Sequence, residues 1–138
     1  MPEVIVNFPA GMFKGEDASR LHFKYTLKDL VAEQMSAIDP HTGVMVTFNP
    51  DADIDVTALP YDPLMSDTTA TVLLKIITYD WPDRMDNIKA RLEVICKIMA
   101  ALVPDEFIMP GQDAVSVTFL GKEKGCWASA QKFSLDPS

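Results

Sequence analysis

Pro2, behind Met1 and ahead of the apolar run Val4-Ile5-Val6-Asn7-Phe8, is the residue of this chain best placed to do chemistry. Removing Met1 leaves a free secondary amine at the mouth of a strand. An α-amino group titrates near about 8, and burial or a neighbouring cation brings it lower, so such a nitrogen is neutral and basic near neutral pH. A base of that kind can take a proton from a carbon beside a carbonyl. The competing reading is a terminal proline with no chemical role. If Met1 is retained, the nitrogen is an amide and carries no basic lone pair.

The other reactive residue types are scattered. His22 and His41 have no partner at metal-ligand spacing, so no metal is expected, and no cofactor either. Asp51-Ala52-Asp53-Ile54-Asp55 superficially matches a calcium loop, but Val56 stands where the sharp turn needs Gly and Asp62 where a bidentate Glu is usual. Lys122 and Lys124, in Gly121-Lys122-Glu123-Lys124-Gly125, either draw an anion or form a solvated turn. Cys126 and Trp127 behind them either wall a pocket or simply pack. There is no Gly-x-Ser-x-Gly elbow, phosphate loop or dinucleotide fingerprint.

The 138 residues are 48% hydrophobic, which suits one domain with a real core. Twenty acids against 12 Lys plus Arg give a net charge of −8, which argues against a nucleic-acid partner or an anionic membrane surface. No run is apolar enough for a signal peptide or a membrane span, and Cys96 and Cys126 read as reduced thiols, so a cytoplasmic protein is expected.

The hydrophobic period switches between strand and helix along the chain. Residues 3–8 alternate as a strand, and 17–38 carry Leu21, Leu27, Leu30, Val31, Met35 and Ile38 at helical spacing. After the turn Asp39-Pro40-His41-Thr42-Gly43, Val44–Phe48 reads as a second strand. Thr71–Tyr79 reads as a central strand. Asp80 then caps a second helix, with Pro82 in its first turn, a stripe from Met85 through Ile88, Leu92, Ile95 and Met99 to Leu102, and Pro104 at its end. Ala114–Leu120 reads as a fourth strand. The expected architecture is an α/β (α+β) fold of duplicated β-α-β units, residues 1–49 and 69–120, with an acidic loop at 50–68 and a tail at 121–138. They form a four-stranded mixed sheet with two helices on one face. The other face would lie bare unless subunits cover it.

An initiating Met-Pro, a strand opening on that proline and a doubled β-α-β of this length resemble the tautomerase superfamily. Val72-Leu73-Leu74-Lys75-Ile76-Ile77-Thr78 and Trp127 look like the corresponding segments of its malonate semialdehyde decarboxylase branch. The resemblance implies catalysis by Pro2, a small carboxylate or carbonyl substrate, and a homotrimer. It also implies cations around the substrate. Where that branch carries two arginines after the third strand, this chain has Tyr79 and Trp81, and Arg84 could supply a guanidinium from a shifted position or stand as a solvated helix residue. Where several tautomerases place an arginine after the first strand, this chain has Lys14, a point charge without the bidentate fork. The branch's acid before the second strand aligns with Gly43.

The leading expectation is therefore tautomerase-type proton transfer on a small 2-oxo acid or enolisable carbonyl compound, with Pro2 as base and Lys14, Arg84, Tyr79 and Trp127 around the substrate. A second reading is a non-catalytic trimer that binds a ligand or partner. A third is a ferredoxin-like regulatory domain in which Pro2 is irrelevant.

Overall fold

The computed structural model describes residues 2–13 and 17–132. Strand β1 (Glu3–Pro9) leads into helix α1 (Asp17–Gln34), the two-residue strands β2 (Ala37–Ile38) and β3 (Met45–Val46), the short helix α2 (Pro50–Asp53) and strand β4 (Asp55–Tyr61). The second half runs through β5 (Ala70–Ile77), α3 (Pro82–Met85), α4 (Ile88–Ala100), a 3-10 turn at Asp105–Phe107, β6 (Asp113–Leu120) and β7 (Gly125–Ala130). The result is a mixed α+β fold on a five-stranded sheet in the order β4-β1-β5-β6-β7, with β2 and β3 as a separate pair.

Strands β1 and β4 run parallel, as do β5 and β6, while the two pairs meet antiparallel at β1 and β5. A parallel pair needs a crossover, and α1 and α4 supply the two. Alternation along the strands puts Val4 and Val6 beside Leu74 and Ile76 and, one strand on, Val117 and Phe119, all buried. Against them pack Leu27 and Val31 of α1, Met35 just past its end, and Leu92, Ile95 and Met99 of α4. This apolar layer is the core. The opposite face alternates Ile5, Asn7, Leu73, Lys75, Ile77, Thr118 and Leu120, half-buried or exposed, and no described helix lies over it. Within that face the side-chain oxygen Asn7 Oδ1 is hidden from solvent and has no hydrogen-bond partner among the described residues.

Several expectations change. The strand parallel to β1 is β4, inside the stretch expected to be an acidic loop, whereas Val44–Phe48 contributes only Met45 and Val46, paired with Ile38 and Ala37. The acidic residues have local work instead: Asn49 Oδ1 accepts from the amides of Asp51 and Ala52 at 2.9 and 3.1 Å, and Asp53 Oδ2 accepts from Asn49 N at 2.7 Å, which starts α2. A fifth strand, β7, occupies the expected tail and forms a hairpin with β6. The first helix stops at Gln34 rather than 38, and the second is broken between Met85 and Ile88.

Candidate functional site

Pro2 stands at one end of the sheet, where β1 and β4 begin and β5 and β6 finish. It is buried, and its carbonyl accepts from Asp55 N at 3.3 Å. Glu3, the next residue, pairs with Asp55 on one side and Ile77 on the other. Together with Thr78, Tyr79, Leu120 and Lys122 it lines a depression of about 310 Å³. Tyr79 is exposed and stacks on Trp81, with ring centroids 6.0 Å apart and planes within 4°.

The turn that carries Lys122 is fastened by Asp80. One carboxylate oxygen accepts from the backbone amides of Glu123 and Lys124, both at 2.8 Å, and these bonds hold the Asp80 carboxyl below its ordinary value. Gly121 makes this possible, because a Cβ there would lie 2.4 Å from Asp80 Cβ. Asp80 was expected to cap the second helix. Instead Trp81 is the N-cap of α3 and makes no side-chain capping bond.

Arg84 is not the solvated helix residue of one expectation. Its side chain is buried at 1% exposure, and each of its nitrogens faces a backbone carbonyl: Nε donates to Met35 O at 2.9 Å, Nη2 to the same oxygen, and Nη1 to Tyr79 O. The guanidinium also lies 5.3 Å from the centre of the Trp81 ring, and burial pushes it down to about 10. It braces the chain beneath Tyr79 and Trp81. Trp127 is exposed on β7, paired with Thr118, with Lys89 Nζ 4.6 Å above its ring and donating to its carbonyl at 2.7 Å. Lys14 lies outside the described residues. Of the expected site residues the fold thus gathers Pro2 and Tyr79 at one sheet end, sets Arg84 beneath Tyr79 and places Trp127 further along the open face.

Lys122 and Thr78 are the additions to the site. The sequence signal for Lys122 was the glycine-bounded basic turn, but nothing in the letters joined that turn to residue 80. Among the described residues no group of three His, Cys, Asp or Glu side chains is placed to hold a metal ion, and no helix is long and apolar enough to cross a membrane.

One solved structure has a similar fold. It is described as native Ps01740, is 11% identical to this chain, and aligns over 87% of this chain and 95% of its own with a TM-score of 0.53. No family model matches the chain, and no curated protein matches it. The likeness concerns the path of the backbone alone.

Proposed function

We propose that the chain, once Met1 is removed, catalyses tautomerase-type proton transfer on a small 2-oxo acid or related enolisable carbonyl compound, with the Pro2 amine as base. The observation that carries this reading is that Pro2 is buried and that the next residue, Glu3, lines a depression with Tyr79 and Lys122. The amine takes a proton from the carbon next to the carbonyl and returns it at the other end of the enol. Lys122 attracts the substrate carboxylate, and the Tyr79 hydroxyl faces the oxygen on which negative charge builds up. The two crossovers, β1-α1-β4 and β5-α4-β6, support a doubled β-α-β unit of the tautomerase kind, to which β7 is an addition. The uncovered sheet face, with Ile5, Leu73 and Ile77 on it, supports a homotrimer in which copies share that face.

A specific observation favours the second reading, a non-catalytic trimer that binds a small carboxylate. Arg84, the one arginine beside the Pro2 end, has its donors on backbone carbonyls, so the site lacks the bidentate clamp that holds an enolate rigidly.

Phenylpyruvate enolisation decides between them. Protein shown by intact mass to begin at Pro2 is expected to turn the substrate over, with kcat/KM rising with pH to a midpoint below that of an ordinary terminal amine. Protein that retains Met1, and Pro2→Ala, should lose at least a hundredfold in kcat/KM. Equal turnover with and without Met1 removes Pro2 as the base, and binding without turnover in both forms establishes the second reading.

A further inference from the structure

A cleft of about 620 Å³ lies away from Pro2, between α1 and the outer strand β4. It exists because α1 covers only part of its side of the sheet. Val4 and Val6 are sealed, but the residues of β4 that point the same way grade from half-buried Val56 to exposed Ala58 and Pro60. β4 has no strand partner on its outer side among the described residues. The cleft is thus an apolar trough with a wall of backbone.

Its inner end is aromatic. Phe8, Phe13 and Phe23 form a chain of rings, with centroids 5.5 and 5.2 Å apart at successive contacts, the second edge-to-face. Such rings give a rigid floor that fills with apolar groups at low entropic cost. Val6, Phe8 and Ala10 follow one another along the trough at every second residue, which at about 3.4 Å per residue makes it roughly 14 Å long. Volume and length together suit one small organic molecule.

Charge sets the other half of the ligand. In a chain of net charge −8, the charged residues that line this cleft among the described ones are Arg20 and Lys24, both basic. Both rise from α1 one turn apart at the mouth. Arg20 Nη2 donates to Phe13 O at 3.0 Å and so shapes the rim. Lys24 is exposed, sits 5.7 Å from the centre of the Tyr25 ring and makes no ion pair with a described residue. An apolar trough with an ammonium at its mouth matches a molecule with an apolar tail and one anionic end.

We propose that this cleft binds a small amphipathic carboxylate, its tail along Val6, Phe8, Phe23 and Val56 and its carboxylate at Lys24. The inference stands apart from the reading of Pro2: different residues carry it, and binding needs no free amine.

Calorimetric titration of the full-length protein with octanoate, decanoate and decylammonium tests it. Decanoate is expected to bind roughly tenfold more tightly than octanoate, two methylenes being enough for that change. Decylammonium should bind at least tenfold more weakly than decanoate. Lys24→Glu should weaken decanoate at least fivefold. Ala58→Trp, which fills the trough from an exposed strand position, should abolish binding while melting temperature and oligomeric state stay as in the wild type. Pro2→Ala should leave the affinity unchanged. The proposal is overturned if decanoate fails to bind, if acid and amine bind alike, or if Ala58→Trp binds as well as the wild type. It also fails if Pro2→Ala removes binding, which would put the carboxylate at the other end of the sheet. A change of oligomeric state in Ala58→Trp means that a second copy occupies the trough, and this too excludes the small ligand.

Discussion

Arg84 reaches from α3 to the end of α1 and donates to the carbonyl of Met35 through both Nε and Nη2. The last carbonyls of a helix have no partner within it and carry the negative end of its dipole. The last turn of α1 holds no basic residue of its own. The second half of the chain provides the cations instead: Arg91 Nη1 donates to Gln34 O at 2.7 Å and Ser36 O at 2.6 Å, on either side of the oxygen that Arg84 takes. Asp83 completes the junction by accepting from Ile38 N at 2.8 Å.

Arg84→Met should therefore lower stability by about 2–4 kcal/mol, since it leaves the Met35 and Tyr79 carbonyls without their donor in a buried place. Arg84→Lys should recover less than half of that, because an ammonium cannot reproduce the planar fork. Urea unfolding measures both. A wild-type midpoint in Arg84→Met would mean that water or another donor replaces the arginine.

Gly121→Ala places a methyl against Asp80 Cβ, Asp80 Cγ and Lys124 O, the last two at 2.8 Å, and is expected to cost roughly 1–3 kcal/mol and to open the turn. Asp80→Asn tests the same turn through pH. The Asp80 carboxyl is held below its ordinary value of 3.8 in the folded chain, so the stability it contributes is present above that pH and is lost as pH falls below it. Acid unfolding of the wild type should steepen below pH 4, and Asp80→Asn should lack that component. Identical acid curves would show that the turn holds without the charge.

Cys96 is fully buried, and burial pushes its thiol from 9.0 up to about 11. The unfolded chain then ionises this group first, so its contribution to stability is complete below pH 9 and declines as pH rises from 9 to 11. Over that range the wild type should lose stability faster than Cys96→Ala. A thiol reagent at pH 8 should modify the partly exposed Cys126 in the native protein and reach Cys96 only on unfolding. Two fast-reacting thiols in native protein would contradict the packing of α4 on β7.

Lys122→Ala should raise KM for a 2-oxo acid at least fivefold without changing the melting temperature, whereas Lys97→Ala, on the exposed side of α4, should leave both alone. Equal effects would remove Lys122 from the substrate and reduce the depression to a surface feature.

The elements that position the site were readable where periodicity is strong. β1, β5, β6 and the buried stripe Ile88, Leu92, Ile95 and Met99 of α4 stand where their spacing puts them. β4 is obscured because its composition is that of an edge: Asp55 and Pro60 are poor strand residues in a sheet centre but acceptable where one side of the ladder is unpaired. β7, Gly-Cys-Trp-Ala-Ser-Ala, is masked by small residues that pack against α4 without looking apolar. Val44–Phe48 has the letters of a strand but lies in a tight turn region, where Gly43 at φ +70° returns the chain to β2 after two residues. Pro2 could be singled out because the chemistry proposed for it depends on its place directly after Met1. The burial of Arg84 could not, since what neutralises its isolation is a carbonyl 49 residues away that carries no mark in the sequence.

Asn7 marks where the isolated chain is chemically incomplete. Its amide oxygen faces the uncovered side of the sheet, in register with Leu59 and Leu73, hidden from solvent and without a donor. An acceptor stranded in this way costs roughly 1–3 kcal/mol, and a donor recovers it only if the side chain turns outward to meet it. Any molecule that settles on that face with apolar groups alone forgoes this gain, while one that also presents a donor opposite Asn7 collects it. If copies of the chain share that face as proposed, a single amide can fix the register in which they dock, much as a key's notch sets the one depth at which it turns.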